Sequence, residues 1–411
     1  MRLFCLINFL FLSNFSCASR GDEPEVSFYS YTGNDLFPSF LIATASVDWN
    51  GDEQIAEDKK GDEDGELEEG EIPLFGDENG SIGVEITDIV DGSVVRVEME
   101  GDGFLNESVW EGELGDDYEL IRVLPKALWN YKSLRACTQQ KPANLKIRVY
   151  VDDEEVAEIN ETIQLKAVSD CPFYVILDDE GSSLDDISIT FAAYVNENHP
   201  WIDGLLKEAL DATKELGLTG FTGYQMGSQD EVMLQVFAVW NALQRRGIQY
   251  SDISTNIPSK RVFSQAVRML DESIQASQAN CVDGSVLMAS ILRKIGMDVD
   301  LVMVPGHCLL AFTDGDKENP TRFFLETTML GNSDLQPVSK LLELPESTKK
   351  GEFKASYETF AAALEAGLEH YNNNEEAFLS QEDPNVQLIS ISAAREMGII
   401  PLSATSSVPN H

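Results

Sequence analysis

The fold of the C-terminal half is decided by NCVDGSVLMASILRKIG at residues 280–296, LVMVPGHCLLAF at 301–312 and RFFLETTML at 322–330. Asn280 is a favoured N-cap residue and Asp283 follows it by three positions, so the first stretch predicts a helix that begins at Cys281 and ends at Gly296. The other two stretches predict a strand, a turn at Pro305-Gly306, and two further strands. This half is therefore expected to be α+β.

Three side chains in these stretches are candidate catalytic residues. Cys281 would lie at the positive end of a helix dipole, which favours the thiolate form. His307 opens a strand after a tight turn, and Glu326 ends the next strand. A cysteine, a histidine and a carboxylate placed in this way can converge as nucleophile, base and orienting group.

This arrangement resembles the transglutaminase-like superfamily of papain-like cysteine enzymes. In that family a cysteine opens the central helix, a histidine begins a following strand, and an acid lies on the next strand close to threonine. The resemblance implies that Cys281 is the nucleophile, His307 the base and Glu326 the acid, next to Thr327 and Thr328. It covers residues 260–330, and a broader likeness to uncharacterised bacterial proteins of this superfamily extends over the second half. Two departures are a glutamate where aspartate is usual and the absence of a tryptophan near the histidine.

Composition limits the remaining function classes. The chain has 411 residues, 43% of them hydrophobic, which predicts two or three globular domains. Its formal net charge of −42 disfavours nucleic acid as a partner. With four histidines and no HExxH, paired CxxC, P-loop or GxGxxG motif, we expect neither a cofactor nor a metal.

The N-terminal half shows a two-residue hydrophobic period. Val95, Val97 and Met99 alternate with charged residues, and the same alternation runs through 145–151. Further strands are predicted at 118–124 and 159–165. Short alternating strands divided by turns indicate an antiparallel β-sandwich over 80–170. It precedes a transglutaminase-like domain over 171–411, whose other helices are predicted at 201–216, after the Ser228 cap and at 356–371.

The first 79 residues contain a predicted export signal and, after it, an acidic segment. Residues 1–19 carry Arg2 and a short apolar stretch, which is typical of a secretory signal. The signal is either cleaved after Ala18 or processed to a lipoprotein with a lipid on Cys17, which would be the chain's one link to a membrane in the cell envelope. Residues 20–79 are expected to be an acidic, partly flexible segment, and calcium binding by Asp52, Asp62 and Asp64 is the less favoured alternative.

Further cysteines, a histidine and three glutamines are assigned from their sequence surroundings. Cys137 and Cys171 are either a disulfide or two buried thiols, and Cys308 is expected to be a core residue because strand alternation turns it away from His307. His199 is expected at a helix boundary because Pro200 follows it. Candidate side-chain donors to an oxyanion are Gln225, Gln275 and Gln278.

Two functions follow from these observations. The favoured one is an exported thiol enzyme with a Cys-His-Glu triad that acts on an amide or peptide bond of a protein or peptide substrate, as a peptidase, an amidase or a transglutaminase-type acyltransferase. The alternative is a catalytically inactive scaffold or binding protein of the cell envelope, since a fold can persist without its activity.

Overall fold

The computed structural model describes residues 24–47, 72–178, 181–225, 228–251, 259–316, 318–332, 344–381 and 383–402. The predicted signal at 1–19 with Cys17, and the acidic run at 48–71 with Asp52, Asp62 and Asp64, lie outside the described residues. Helix and strand are present in nearly equal amounts, 35% and 32%, in several separate sheets. The protein therefore belongs to the α+β class.

Among its described residues, the N-terminal part contains ten strands and two short helices. The strands are β1 (Val26–Ser30), β2 (Asp35–Leu36), β3 (Leu74–Gly76), β4 (Ile82–Ile89), β5 (Val94–Gly101), β6 (Leu105–Glu113), β7 (Tyr118–Leu124), β8 (Leu128–Trp129), β9 (Lys141–Val151) and β10 (Glu154–Leu165). The helices are α1 (Pro38–Ala43) and α2 (Tyr131–Arg135). The strands form a four-stranded sheet in the order β1-β4-β7-β3 and a six-stranded sheet in the order β2-β10-β9-β5-β6-β8.

Alternating burial explains why these segments are strands. Val95, Val97 and Met99 on β5 are fully buried, whereas the residues between them are partly exposed. The predicted strand at 118–124 is β7, and the one at 159–165 lies within β10. The inward-facing residues of both sheets belong to one apolar core, so each sheet covers the hydrophobic face of the other.

The stretch 20–79 contributes three strands that its acidic composition did not predict. The strand β1 pairs antiparallel with β4 over five residues, and β3 pairs parallel with β7. The short strand β2 pairs parallel with the end of β10. The sequence VSFYS at 26–30 has enough apolar residues for a strand, but the acidic residues around it mask the signal when composition is averaged over the whole segment.

The C-terminal part contains nine strands and seven helices among the described residues. The strands are β11 (Asp170–Ile176), β12 (Leu184–Asp186), β13 (Gln249–Tyr250), β14 (Val262–Ala266), β15 (Gln278–Ala279), β16 (Val299–Val304), β17 (His307–Thr313), β18 (Arg322–Leu325) and β19 (Gln387–Ser390). The helices are α3 (Pro200–Thr213), α4 (Gln229–Arg245), α5 (Leu270–Ala276), α6 (Cys281–Lys294), α7 (Lys354–Asn373), α8 (Glu375–Ser380) and α9 (Ile391–Glu396). The main sheet has the order β18-β17-β16-β19 and is antiparallel throughout.

The four helices that the sequence predicts are all present, as α3, α4, α6 and α7, and the other five described helices are short ones that it does not predict. The Ser228 hydroxyl oxygen accepts the Glu231 N–H at 3.3 Å and caps α4, whose apolar face is buried. The helix α3 occupies the predicted stretch up to residue 213 and continues as a 3₁₀ turn to Leu216. The short helix α9 covers the first three residues of the C-terminal AREMGIIPL.

The two parts of the chain share their core. Buried residues from the N-terminal sheets and from the C-terminal helices form one contiguous cluster. The Ile400 N–H donates to the Ala43 carbonyl at 3.1 Å, which joins the C-terminal end of the described chain to α1. The change of hydrophobic period near residue 171 therefore marks a change of secondary structure inside a continuous core. No helix in the described ranges is both long enough and apolar enough to cross a membrane.

Candidate active site

Cys281 is the first residue of α6, as the sequence predicts. The Asn280 side-chain oxygen accepts the Asp283 N–H at 2.8 Å, and the Asp283 carboxylate accepts the Asn280 N–H at 3.2 Å. This reciprocal cap satisfies two backbone donors at the helix start. The side chain of Cys281 is half-buried, and the helix ends before Gly296, which adopts the left-handed conformation with φ 85°. The thiol is thus held at the N-terminus of a well-capped helix.

The same cap places the carboxylate of Asp283 in the protein interior. Asp283 is almost fully buried, and burial raises its pKa, while hydrogen bonds from the backbone N–H groups of Arg268 and Asn280 oppose that rise. The Arg268 guanidinium lies 3.2 Å from Asp283. Because a buried charge is costly without partners, this pair fixes the segment before α5 against the start of α6.

His307 is the first residue of β17 and faces Val304 of β16 across the Pro305-Gly306 turn. Gly306 has φ 72°, a conformation that glycine adopts without strain. The turn is closed by regular strand pairing on both sides, so the imidazole projects from a fixed hairpin. The ring is mostly shielded from solvent, with 22% of the side chain exposed.

Glu326 follows β18 directly and is almost fully buried. One carboxylate oxygen, Oε1, accepts the Thr328 N–H at 2.9 Å and the Thr328 hydroxyl at 2.6 Å. The other oxygen, Oε2, lies 2.5 Å from His307 Nε2. Burial would raise the pKa of Glu326, but the hydrogen bonds and charge of His307, together with those from Thr328, bring it below its ordinary value. The carboxylate is therefore ionised and pointed at the imidazole.

The His307 imidazole interacts with both the Cys281 thiol and the Glu326 carboxylate. Burial works against the charged ring of His307, yet its hydrogen bonds and charge interactions with Cys281 and Glu326 raise the pKa of His307 to about 10. Since Nε2 faces Glu326, Nδ1 is the nitrogen left for the thiol. The structure thus brings together all three side chains that the sequence proposed as catalytic: Cys281, His307 and Glu326.

Two glycines let helices approach the segment that carries the acid. A Cβ on Gly284 of α6 would lie 2.9 Å from the Thr327 hydroxyl oxygen. A Cβ on Gly367 of α7 would lie 2.4 Å from the Phe324 carbonyl oxygen and 2.8 Å from the Leu325 nitrogen. All three distances are shorter than a Cβ contact allows, so a larger residue at either position would require its neighbour to shift. The end of β18 is therefore held between two helices.

His370 also belongs to the site, and sequence reasoning missed it. It lies on α7, its ring stacks on His307 with centroids 4.8 Å apart, and its Nε2 is 3.4 Å from Glu326 Oε2. No local motif marks this residue. The one indirect signal is Gly367, a glycine in the interior of a predicted helix, almost one turn earlier.

A cavity of about 190 Å³ opens beside Cys281 and His307. Its wall is made of aromatic residues, neutral polar residues and the end of β16: Phe173, Tyr174, Ser188, Phe191, Gln265, Val282, Met303, Val304, Gly306, Pro384, Asn385 and Gln387. Of the glutamines considered for the oxyanion, Gln225, Gln275 and Gln278 are exposed and do not line this cavity. Gln265, on β14, does.

The remaining cysteines and His199 have structural roles. Cys137, Cys171 and Cys308 are unbridged and buried, and burial raises the pKa of each thiol. The disulfide alternative for Cys137 and Cys171 is therefore not realised. His199 caps α3 by accepting the Trp201 N–H at 3.3 Å, which confirms the predicted helix boundary.

Comparison with known proteins assigns no family to this chain. No protein-family model matches it, and no curated protein matches it either. The resemblance carried by residues 260–330 therefore stays a prediction, and the function has to be inferred from the geometry of the site.

Proposed function

We propose that the protein is a thiol-dependent enzyme that cleaves or transfers amide bonds, with Cys281 as nucleophile, His307 as base and Glu326 as the residue that orients the imidazole. The observation that carries this proposal is the 2.5 Å contact between His307 Nε2 and the buried Glu326 carboxylate, with Cys281 and the same imidazole lining one cavity. A nucleophile, a base and an orienting group in that order are the essential parts of nucleophilic acyl transfer.

In the first half-reaction the Cys281 sulfur would attack the carbonyl carbon of the bound amide. The imidazolium of His307 then gives its proton to the amide nitrogen, the carbon–nitrogen bond breaks, and the amine leaves a thioester on Cys281. In the second half-reaction water or another amine attacks the thioester, His307 accepts the proton, and the thiolate is regenerated. Water gives hydrolysis, and an amine gives transamidation.

The negative oxygen of each tetrahedral intermediate needs hydrogen-bond donors. The Cys281 N–H is one of the first N–H groups of α6, which have no partner inside the helix. Gln265 lines the cavity together with Cys281, and its amide group is the side-chain donor that we assign to this role.

The cavity also limits the substrate class. Apart from the His307 imidazole, none of the described residues that line it is charged, and three of them are aromatic or phenolic rings: Phe173, Tyr174 and Phe191. Placing a charged side chain there without a partner would be costly. We therefore propose that the group next to the reacting carbonyl is uncharged, although the whole chain is strongly acidic.

Alkylation by iodoacetamide at mildly acidic pH tests the proposal. Cys281 is expected to react well before Cys308, and His307→Ala is expected to slow the reaction sharply because the imidazolium no longer favours the thiolate. Cys308→Ser serves as a matched control that should leave the rapid phase intact, whereas Cys281→Ser should abolish it. If Cys281 reacts like an ordinary thiol and ignores His307→Ala, the enzyme proposal fails and the scaffold alternative replaces it.

We also infer export to the cell envelope from residues 1–19. Mass spectrometry of the membrane fraction should detect a diacylated or triacylated Cys17 if the lipoprotein route is used. A soluble product that begins at Ser19 would exclude the lipid anchor and leave export in place.

A further inference from the structure

The cluster His307, Glu326 and His370 has the composition of a transition-metal site. Its three candidate ligand atoms lie within 4.8 Å of one another, and no other such group occurs in the part of the chain that the structure describes. Two neutral imidazoles and one carboxylate are a ligand set that Zn²⁺ uses with three protein ligands and one open position. Magnesium and calcium prefer oxygen ligands alone.

The two pairs that involve Glu326 fit such an ion after a small local change, and the two histidine nitrogens, which lie within 4.8 Å of each other, would have to close by at most about 1.5 Å. Two ligand atoms that each lie about 2.0–2.1 Å from a tetrahedral Zn²⁺ are about 3.3 Å apart. His370 Nε2 and Glu326 Oε2 already have a separation of 3.4 Å. His307 Nε2 and Glu326 Oε2 are 2.5 Å apart, as a hydrogen bond requires, so this pair has to open by less than about 1 Å once its proton is lost.

The three ligands come from rigid elements and face a route to solvent. His307 opens β17, Glu326 ends β18, and His370 lies on α7, which contacts β18 through Gly367. The stacked rings direct both Nε2 atoms towards the same carboxylate. Glu326 is only 3% exposed, but His370 is 40% exposed, so an ion can reach the cluster from the side of α7.

We propose that Zn²⁺ binds to His307, Glu326 and His370 and thereby switches off the thiol chemistry of Cys281. The lone pair of His307 Nε2 would coordinate the metal, and the proton shared between this nitrogen and Glu326 would be released to water. With the metal on Nε2, the neutral ring carries its one proton on Nδ1, so it has no lone pair there to accept the thiol proton, and Glu326 no longer orients the ring. The inhibitory effect rests on the proposed function, whereas metal binding does not.

Calorimetric titration with zinc sulfate tests the binding in the full-length chain carrying Cys281→Ser, which removes the neighbouring thiol as a ligand. We expect one-to-one binding that His370→Asn weakens by at least about 100-fold, because loss of a ligand should exceed the effect of losing a group that only orients one. The matched control is His199→Asn, which removes an imidazole near a single carboxylate and keeps an N-cap on α3. It should leave the affinity unchanged, and magnesium should not compete.

Two results would overturn the site: no one-to-one zinc binding by the Cys281→Ser protein, or equal affinity in the His370→Asn and His199→Asn variants. Circular dichroism checks that the variants are folded, and Glu326→Gln gives a second ligand removal with the same expected loss. Zinc should also slow alkylation of Cys281 in the wild-type protein, and a chelator should restore it. Unreactive Cys281 in metal-free protein would refute the proposed function, while the titration would still decide the metal site.

Discussion

Replacing Glu326 by glutamine should lower the pKa of His307 by about 2 pH units. The rise from 6.5 to about 10 in the native site corresponds to a preference of about 5 kcal/mol for the protonated ring. Both Cys281 and Glu326 produce this rise, and burial opposes it. Glutamine keeps a hydrogen-bond acceptor for Nε2 and removes the charge, and one opposite charge at this range moves a pKa by about 1–3 units.

Histidine ring resonances measured by NMR across pH 5 to about 11 give the value directly. His307→Asn identifies the relevant resonance among the four histidines. Glu326→Asp is the matched control, because it keeps the charge and should hold the midpoint well above the value in Glu326→Gln. The reasoning is refuted if the wild-type ring titrates near 6.5, or if glutamine and aspartate give the same midpoint.

The raised pKa of His307 also makes the stability of the protein depend on pH. Because the folded pKa lies above the unfolded one, the charge of His307 stabilises the protein fully below about pH 6.5, and this stabilisation is lost as the pH rises through about 10. The wild-type protein should therefore lose about 3 kcal/mol more unfolding free energy over that range than Glu326→Gln does. Urea denaturation at the two ends of the range measures the difference.

Three further predictions concern the elements around the site. Gly367→Ala should destabilise the protein by about 1–3 kcal/mol in urea denaturation, since the new methyl group meets the β18 backbone, and it should weaken zinc binding by displacing His370; unchanged stability would contradict the close packing. Gln265→Ala should slow acylation of the thiol by p-nitrophenyl acetate by about 100-fold and leave iodoacetamide alkylation unaffected, because only acylation passes through an oxyanion; parallel losses in both assays would argue against the assigned role. Asn280→Ala should cost about 1 kcal/mol, and Asn280→Asp, which can still cap α6, should restore most of it.

Sequence reasoning succeeded where the signal is local. The start of α6 depends on Asn280 and Asp283, which lie within one helical turn, and the strand pairs around the site follow from short apolar runs bounded by turns. These local elements are enough to bring Cys281 and His307 to one place, because a capped helix and a neighbouring hairpin leave few arrangements.

Sequence reasoning failed where contacts between distant segments determine which residues meet. His370 reaches Glu326 because α7 lies directly on β18 at Gly367, and this contact joins segments with no shared pattern. Cys137 follows α2 and Cys171 lies on β11, and whether the two thiols meet depends on how these elements pack, which spacing along the chain does not encode. The glutamine that lines the cavity was overlooked for the same reason.

The edge strand β19 has a consequence for when the site can form during synthesis. It completes the sheet of His307 by pairing with β16, and Pro384, Asn385 and Gln387 just before and within it form part of the cavity wall. A ribosome adds about 5–20 residues per second, so the thiol and the imidazole emerge seconds before this wall does. The nascent chain thus carries its nucleophile without a finished cleft. The thiol can therefore become reactive before β19 docks, whereas the cleft that would select a substrate is complete only afterwards.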